Sequence, residues 1–165
     1  MRKSDARPQV LHAAKMLTEG PKGGASYADI REVTGLSLGV IKDHAQRMNE
    51  HLGKIVRIHD DGRVPESNPF RSQPGARPEI FSLGNRNVQG AALHPATGEL
   101  WAHEHGPQGG DEINVIRAGA NYGWPVITYG RNYGTGTQIG EGTHKTGMAQ
   151  PLHYWVPSIA PSGMA

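Results

Sequence analysis

Hydrophobic and polar positions along this 165-residue chain follow two different periods, and the change falls near residue 50. Val10, Leu11, Ala14 and Leu17 recur at the spacing of one helical face. The run Gly20-Pro-Lys-Gly-Gly24 interrupts that pattern as a loop. Ser26 then stands as an N-cap before Tyr27–Val33, with Asp29 as an acidic capping partner three residues on. Gly35 is a natural helix stop. A third helix is expected from about Ser37 through Ile41 and Ala45 to Met48. From Gly53 the grammar is that of strands. Lys54–His59 alternates and closes on Asp60-Asp61-Gly62, a hairpin-type turn. Further short strands are expected at Glu79–Leu83, Gln89–His94, Glu99–His103 and Glu112–Ile116. Regular turn-rich spacing between them points to an antiparallel β array such as a propeller or sandwich. The expected organisation is a helical segment at 1–48 and a β unit at 49–165.

Composition agrees with a loop-rich β protein. Apolar residues make up 36% of the chain and charged residues 19%, so a core is possible but small. The 23 glycines and 12 prolines amount to about a fifth of the chain, short of the roughly 25–30% of low-complexity disorder. The net charge of +2 is too small to argue for a nucleic-acid partner. That excess lies in residues 1–50, with eight Lys/Arg against six Asp/Glu, while residues 51–165 hold nine of each. The absence of cysteine excludes disulfides and thiolate metal sites. No apolar run approaches the about 18 residues that span a membrane. The charged N-terminus lacks the apolar region of a signal peptide. Taken literally, the chain is cytoplasmic.

The chemistry concentrates between His103 and Pro125, in HEHGPQGGDEINVIRAGANYGWP. Glu104, Asp111 and Glu112 flank a Gly-Pro-x-Gly-Gly turn. Turn glycines let backbone carbonyls approach a ligand. Carboxylates beside free carbonyls suit a hard cation such as calcium. His103 and His105 alternate on an extended segment and face opposite sides, so they cannot chelate one ion. None of the nine histidines is assigned to a transition metal. Trp101, Trp124 and Trp155 read as packing residues.

Three ordered motifs carry a family resemblance: Ser82-Leu-Gly-Asn-Arg-Asn-Val-Gln-Gly90, Glu104-His-Gly-Pro-Gln-Gly-Gly-Asp-Glu-Ile-Asn114 and Asn121-Tyr-Gly-Trp-Pro125. Together they resemble the soluble pyrroloquinoline quinone (PQQ)-dependent sugar dehydrogenases, of the bacterial aldose sugar dehydrogenase type, over roughly residues 45–165. The resemblance implies a mainly β chain: a partial β-propeller, two to three blades of a six-bladed ring, preceded by a small helical segment. It also implies PQQ and calcium as cofactors. The implied activity oxidises the anomeric C1 hydroxyl of an aldose to a lactone and passes the electrons to an acceptor.

Residue by residue, the resemblance implies that Arg86 and Asn87 lie against PQQ. A guanidinium suits a cofactor whose carboxylates and quinone oxygens carry negative charge. The alternative is a turn arginine paired with Glu79. Gly106 and Pro107 match positions whose backbone carbonyls face the PQQ-bound calcium. Glu112 and Tyr122 match a second, structural calcium site, through a carboxylate and a backbone carbonyl, with Asp111 adjacent. Tyr133 matches a tyrosine lining the quinone pocket, where its ring could stack. The family's general-base histidine has no counterpart here, and His12 does not match its context. The expectation is therefore a fragment without turnover of its own. Exposed blade faces would seek a second copy or a complementary fragment. Family members are usually exported, which implies a periplasmic or secreted location.

Two other readings remain open at this point. Residues 26–47 also resemble a helix-turn-helix, with Gly35 at the turn and Lys42, His44 and Arg47 available to phosphates. Alternatively, residues 1–35 are arbitrary sequence that a frameshift or truncation of the gene has joined to an enzyme fragment.

Overall fold

The computed structural model describes residues 43–164. The helices expected over residues 8–42, and with them most of the helix-turn-helix alternative, lie outside that range. The chain divides into two units at His44/Ala45, and the elements described here belong to the second. One exception bridges the division: where the sequence pattern extends a helix to Met48, the backbone tightens into a 3-10 turn at His44–Gln46 and then bends toward the first strand.

Six short strands follow: β1 (Lys54–Val56), β2 (Ile80–Leu83), β3 (Val88–Leu93), β4 (Leu100–Glu104), β5 (Asp111–Ile116) and β6 (His153–Trp155). Strands β1 and β2 form an antiparallel pair, while β3-β4-β5-β6 form a four-stranded antiparallel meander in chain order. That meander has the form of one blade of a β-propeller, and the β1–β2 pair packs against its core. The first strand is shorter than the alternation of Lys54–His59 suggests. A bulge between Ile55 and Val56 shifts the register, the strand stops at Val56, and the chain turns at His59–Arg63. β6 has no counterpart in the sequence pattern, because three residues between Pro151 and Pro157 carry almost no periodic signal.

Along the blade, alternation separates two faces. The register aligns Leu100 with Ile116, Ala102 with Asn114 and Glu104 with Glu112. The apolar members of this face build the core, where Ala102, Ile116 and Tyr122 cluster with Ile55, Phe81, Val88 and Leu100 against them. The core therefore joins residues of both sheets. On the opposite face, the His103 ring is 1% exposed and lies over Gly90. A Cβ at Gly90 would fall 2.5 Å from His103 Nε2, so the ring takes the room of the missing side chain.

The Asn121-Tyr-Gly-Trp124 segment lies beside the end of β2. Leu83 donates its backbone N–H to Ala120 O at 3.0 Å and accepts from Tyr122 N at 2.8 Å, and Gly84 O accepts from Trp124 N at 2.8 Å. Gln46 and Asn121 exchange side-chain amide hydrogen bonds at 3.1 and 2.7 Å. This close approach is why position 84 is a glycine. Its φ of +78° is left-handed, and a Cβ there would lie 2.6 Å from Gly123 N.

Candidate cofactor and metal site

At the end of the blade where β4 leaves and β5 returns, Gly84, Arg86, Glu104, His105, Gly106, Glu112, Tyr122, Trp124 and Thr128 line one small recess. Its acidic floor follows from the strand register. Glu104 closes β4 and Glu112 is the second residue of β5, and the two are direct cross-strand partners. Like charges in that relation repel.

The two carboxylates have unequal surroundings. Glu104 Oε1 accepts Asn85 Nδ2 at 3.2 Å and Asn114 Nδ2 at 3.1 Å. Its Oε2 accepts the backbone N–H of Arg86 at 2.5 Å and of Asn87 at 3.1 Å. Glu112 Oε2 accepts only Asn114 Nδ2, at 3.2 Å, among the hydrogen bonds of the described residues. Burial, and then the neighbouring Glu104 charge, push the Glu112 carboxyl up to about 8. Burial raises Glu104 as well, while its N–H donors oppose that rise. Protonating Glu104 would set an O–H against a ring of donors, so the proton shared by this pair resides on Glu112. A bound cation would take the place of that proton.

Arg86 forms the positive side of the recess. Its Nη1 donates to His105 O at 2.8 Å, and its guanidinium lies 5.4 Å from the centre of the Trp124 ring. Glu79, the other partner considered for it, pairs instead with His51 at 2.6 Å. Trp124 is therefore a wall of the recess as well as a packing residue.

Four of the sequence-derived candidates, Arg86, Gly106, Glu112 and Tyr122, meet around this recess. The Tyr122 hydroxyl does not face a ligand. It donates to Val115 O at 2.6 Å and accepts the Arg117 backbone N–H at 2.9 Å. What Tyr122 can offer a cation is its backbone carbonyl. Four other candidates stand apart from the lining. Asn87 is exposed, and its side-chain Oδ1 accepts Gln89 Nε2 at 2.8 Å. Pro107 is buried, with its ring filling the space that a side chain at Gly130 would need. Tyr133 is 58% exposed, in a loop that Asn132 and Thr137 close at 2.9 Å.

Asp111 has a different task from its neighbour Glu112. Its Oδ1 accepts Gly106 N at 2.9 Å. Its Oδ2 accepts Ser158 Oγ at 2.6 Å, Ile159 N at 2.8 Å and Ala160 N at 2.7 Å. Burial would raise this carboxyl, but the bonds from Ser158, Gly106, Ala160 and Ile159 outweigh it and hold the group below the usual carboxylate range. The geometry makes Asp111 a clamp between the Gly106 turn and a C-terminal strap. His105 Nε2, 2.9 Å from Pro161 O, adds to the same attachment.

The donor set fits the cofactors that the resemblance implies. A half-buried carboxylate that would otherwise take a proton, beside backbone carbonyls, is a hard-oxygen environment suited to calcium. Among the described residues no group of three or more His, Asp or Glu side chains could hold a metal ion, so carbonyl oxygens would have to complete the shell. Arg86 against an aromatic wall suits a planar, anionic ligand. Glu104 is the residue that the sequence motifs left unassigned. Its signal was the hairpin symmetry that pairs it with Glu112.

Comparison with known proteins bears on the family and the fold. The family model for glucose/sorbosone dehydrogenase matches residues 11–165. Aldose sugar dehydrogenase YliI of Escherichia coli (strain K12) is 43% identical over 166 residues, covering 98% of this chain and 44% of that protein. The apo-form crystal structure of the soluble aldose sugar dehydrogenase from Escherichia coli superposes with a TM-score of 0.72 at 47% identity, covering 74% of this chain and 35% of that one. The PQQ-bound aldose sugar dehydrogenase from Streptomyces coelicolor superposes with a TM-score of 0.57 at 34% identity, covering 74% and 31%. The chain thus spans less than half the length of these relatives. The match begins at residue 11, so it takes in the segment read above as a helix-turn-helix and leaves that alternative without support. The chain belongs to the glucose/sorbosone dehydrogenase family.

Proposed function

We propose that this chain provides one wall of the PQQ and calcium site of an aldose sugar dehydrogenase. The observation that supports this most directly is the meeting of Arg86 with the Glu104–Glu112 pair around one recess, within a blade of the family fold. When bound, PQQ supplies the two-electron acceptor for oxidation of an aldose C1 hydroxyl to a lactone. Arg86 holds the cofactor's anionic groups and offsets charge gained on reduction. Gly106 and Pro107 present carbonyls toward the calcium beside the cofactor, and Tyr133 and Asn87 extend that wall. Glu112 and the Tyr122 carbonyl hold a second calcium.

No residue of this chain is assigned as the base that removes the sugar's hydroxyl proton. We therefore infer that the 165-residue chain does not turn over by itself. Its blade faces meet a complementary part of a propeller or a second copy. Residues 49–165 are the propeller portion and residues 1–48 a helical segment. The sugar and an electron acceptor are its partners, and the location that suits the family is the periplasm or the exterior. Among the described residues, no helix is long and apolar enough to cross a membrane.

The test is binding. Calcium should raise the melting temperature of the full chain, and the Glu112→Ala variant should lose that rise. PQQ should quench tryptophan fluorescence in the same preparation. Absence of both effects would overturn the proposal. Glucose turnover with PQQ, calcium and a dye acceptor, at the rate of a full-length enzyme, would overturn the inactivity.

A further inference from the structure

We propose that Glu104 is a positioning residue, which fixes the Asn85–Arg86–Asn87 turn and thereby aims the Arg86 guanidinium into the recess. The inference rests on the PQQ reading given above and deepens it.

The turn that carries Arg86 has no regular ladder of its own, since β2 ends at Leu83 and β3 begins at Val88. Glu104 supplies what the ladder does not. One carboxylate oxygen accepts two successive backbone N–H groups, of Arg86 at 2.5 Å and Asn87 at 3.1 Å. The other accepts the Asn85 side chain at 3.2 Å. All three residues of the turn are thus held by one side chain, 4% exposed, at the end of a rigid strand. Hydrogen bonds to an ionised acceptor are the stronger kind.

The residue after Glu104 completes the grip. His105 N donates to Asn87 O at 3.0 Å, and His105 O accepts Arg86 Nη1 at 2.8 Å. Arg86 is therefore fixed at its backbone by Glu104 and at its guanidinium by His105. Trp124 borders that guanidinium at 5.4 Å. Glu104 need not touch the cofactor to matter. It acts through Arg86, as a supporting group that orients a ligand-binding one. Glutamine is a poor replacement, because it loses the charge that strengthens these bonds and keeps a single acceptor oxygen for the four donors.

Two measurements on the full chain test the idea. In amide hydrogen exchange, Arg86 and Asn87 should be protected to the level of the β4–β5 amides. In Glu104→Gln those two amides should exchange at least about tenfold faster while β4 and β5 keep their protection. In PQQ titrations followed by tryptophan fluorescence, Glu104→Gln should weaken binding at least about tenfold. In an Arg86→Ala background the same change should cost less than about twofold, because the guanidinium that Glu104 positions is gone. An equal penalty in both backgrounds, or unaltered affinity in Glu104→Gln, would overturn the proposal. Should Glu104→Gln fail to fold, coil-like exchange of Arg86 and Asn87 in the unaltered chain would still overturn it. Failure of the unaltered chain to bind PQQ would refute the proposed function instead, and the exchange data would then decide this inference alone.

Discussion

Asp111 and Glu112 are adjacent in sequence and serve opposite sides of one strand. The Asp111 carboxylate points to the strap and accepts Ser158 Oγ at 2.6 Å. The Glu112 carboxylate turns into the recess and meets Asn114 Nδ2 at 3.2 Å. Period-two alternation separates them: one acid is spent on structure and the other is left for a cation.

The Glu112 side predicts a pH dependence. Its carboxyl is raised to about 8 in the folded chain, above the ordinary range. The folded state then binds more protons than the unfolded one, so stability is present below that ordinary range and is lost as pH rises through about 8. In a chelator, the melting temperature should drop by at least about 3 °C between about pH 5 and about pH 8, roughly what 1 kcal/mol does in a domain of this size. Glu112→Gln should flatten the profile. A profile unchanged by Glu112→Gln would show that the loss comes from other groups.

The Asp111 side predicts the opposite sign. Its carboxyl is held below the usual range, so its contribution is present above that range and is lost as pH falls through it. Asp111→Ala should cost at least about 3 kcal/mol, given about 1.5–3 kcal/mol for each hydrogen bond to a charged group. The variant should also be cut by protease near Ser158–Pro161 faster than the unaltered chain. Urea denaturation and limited proteolysis would check both. Intact resistance in that segment would mean that the strap is held by other contacts.

Gly84→Ala should destabilise the chain by more than about 2 kcal/mol. The left-handed backbone alone costs roughly 1–2 kcal/mol for a residue with a Cβ. The new methyl would also press on the backbone nitrogens of Gly123 at 2.6 Å and Tyr122 at 2.9 Å, which cannot move without breaking the bonds to Leu83 and Gly84. Calcium stabilisation should weaken in parallel, since Tyr122 shifts. A melting curve within about 1 °C of the unaltered chain's would sink this account.

Arg86→Lys keeps the charge and removes the planar fork. PQQ affinity should fall at least about tenfold, because a point charge cannot reproduce paired hydrogen bonds to an anionic ligand. The calcium-dependent rise in melting temperature should stay, since Arg86 lies outside the Glu112–Tyr122 pair. Equal affinity for PQQ would remove Arg86 from the cofactor wall.

Alternation in the sequence located β2 through β5 to within about one residue, because each has one face in the core. It overextended β1, where a bulge shifts the register just before the strand stops at Val56, and it missed β6, which is too short to show a period. The motifs placed Arg86, Gly106, Glu112 and Tyr122 together because a ligand site constrains residue types strongly. They could not separate Asp111's task from Glu112's, since the deciding partner, Ser158, is 47 residues away.

The sequence alone determined the β character, the blade-forming spacing and the acidic Gly-Pro-x-Gly-Gly turn, because local periodicity and turn chemistry act over a few residues. The tertiary structure decided what those residues do. Strand register set Glu104 against Glu112, the docking of Asn121–Trp124 on Gly84 brought Tyr122 and Trp124 to Arg86, and the strap consumed Asp111. Each depends on contacts between distant segments, and no local pattern encodes which donor will meet which carboxylate when the strands pair.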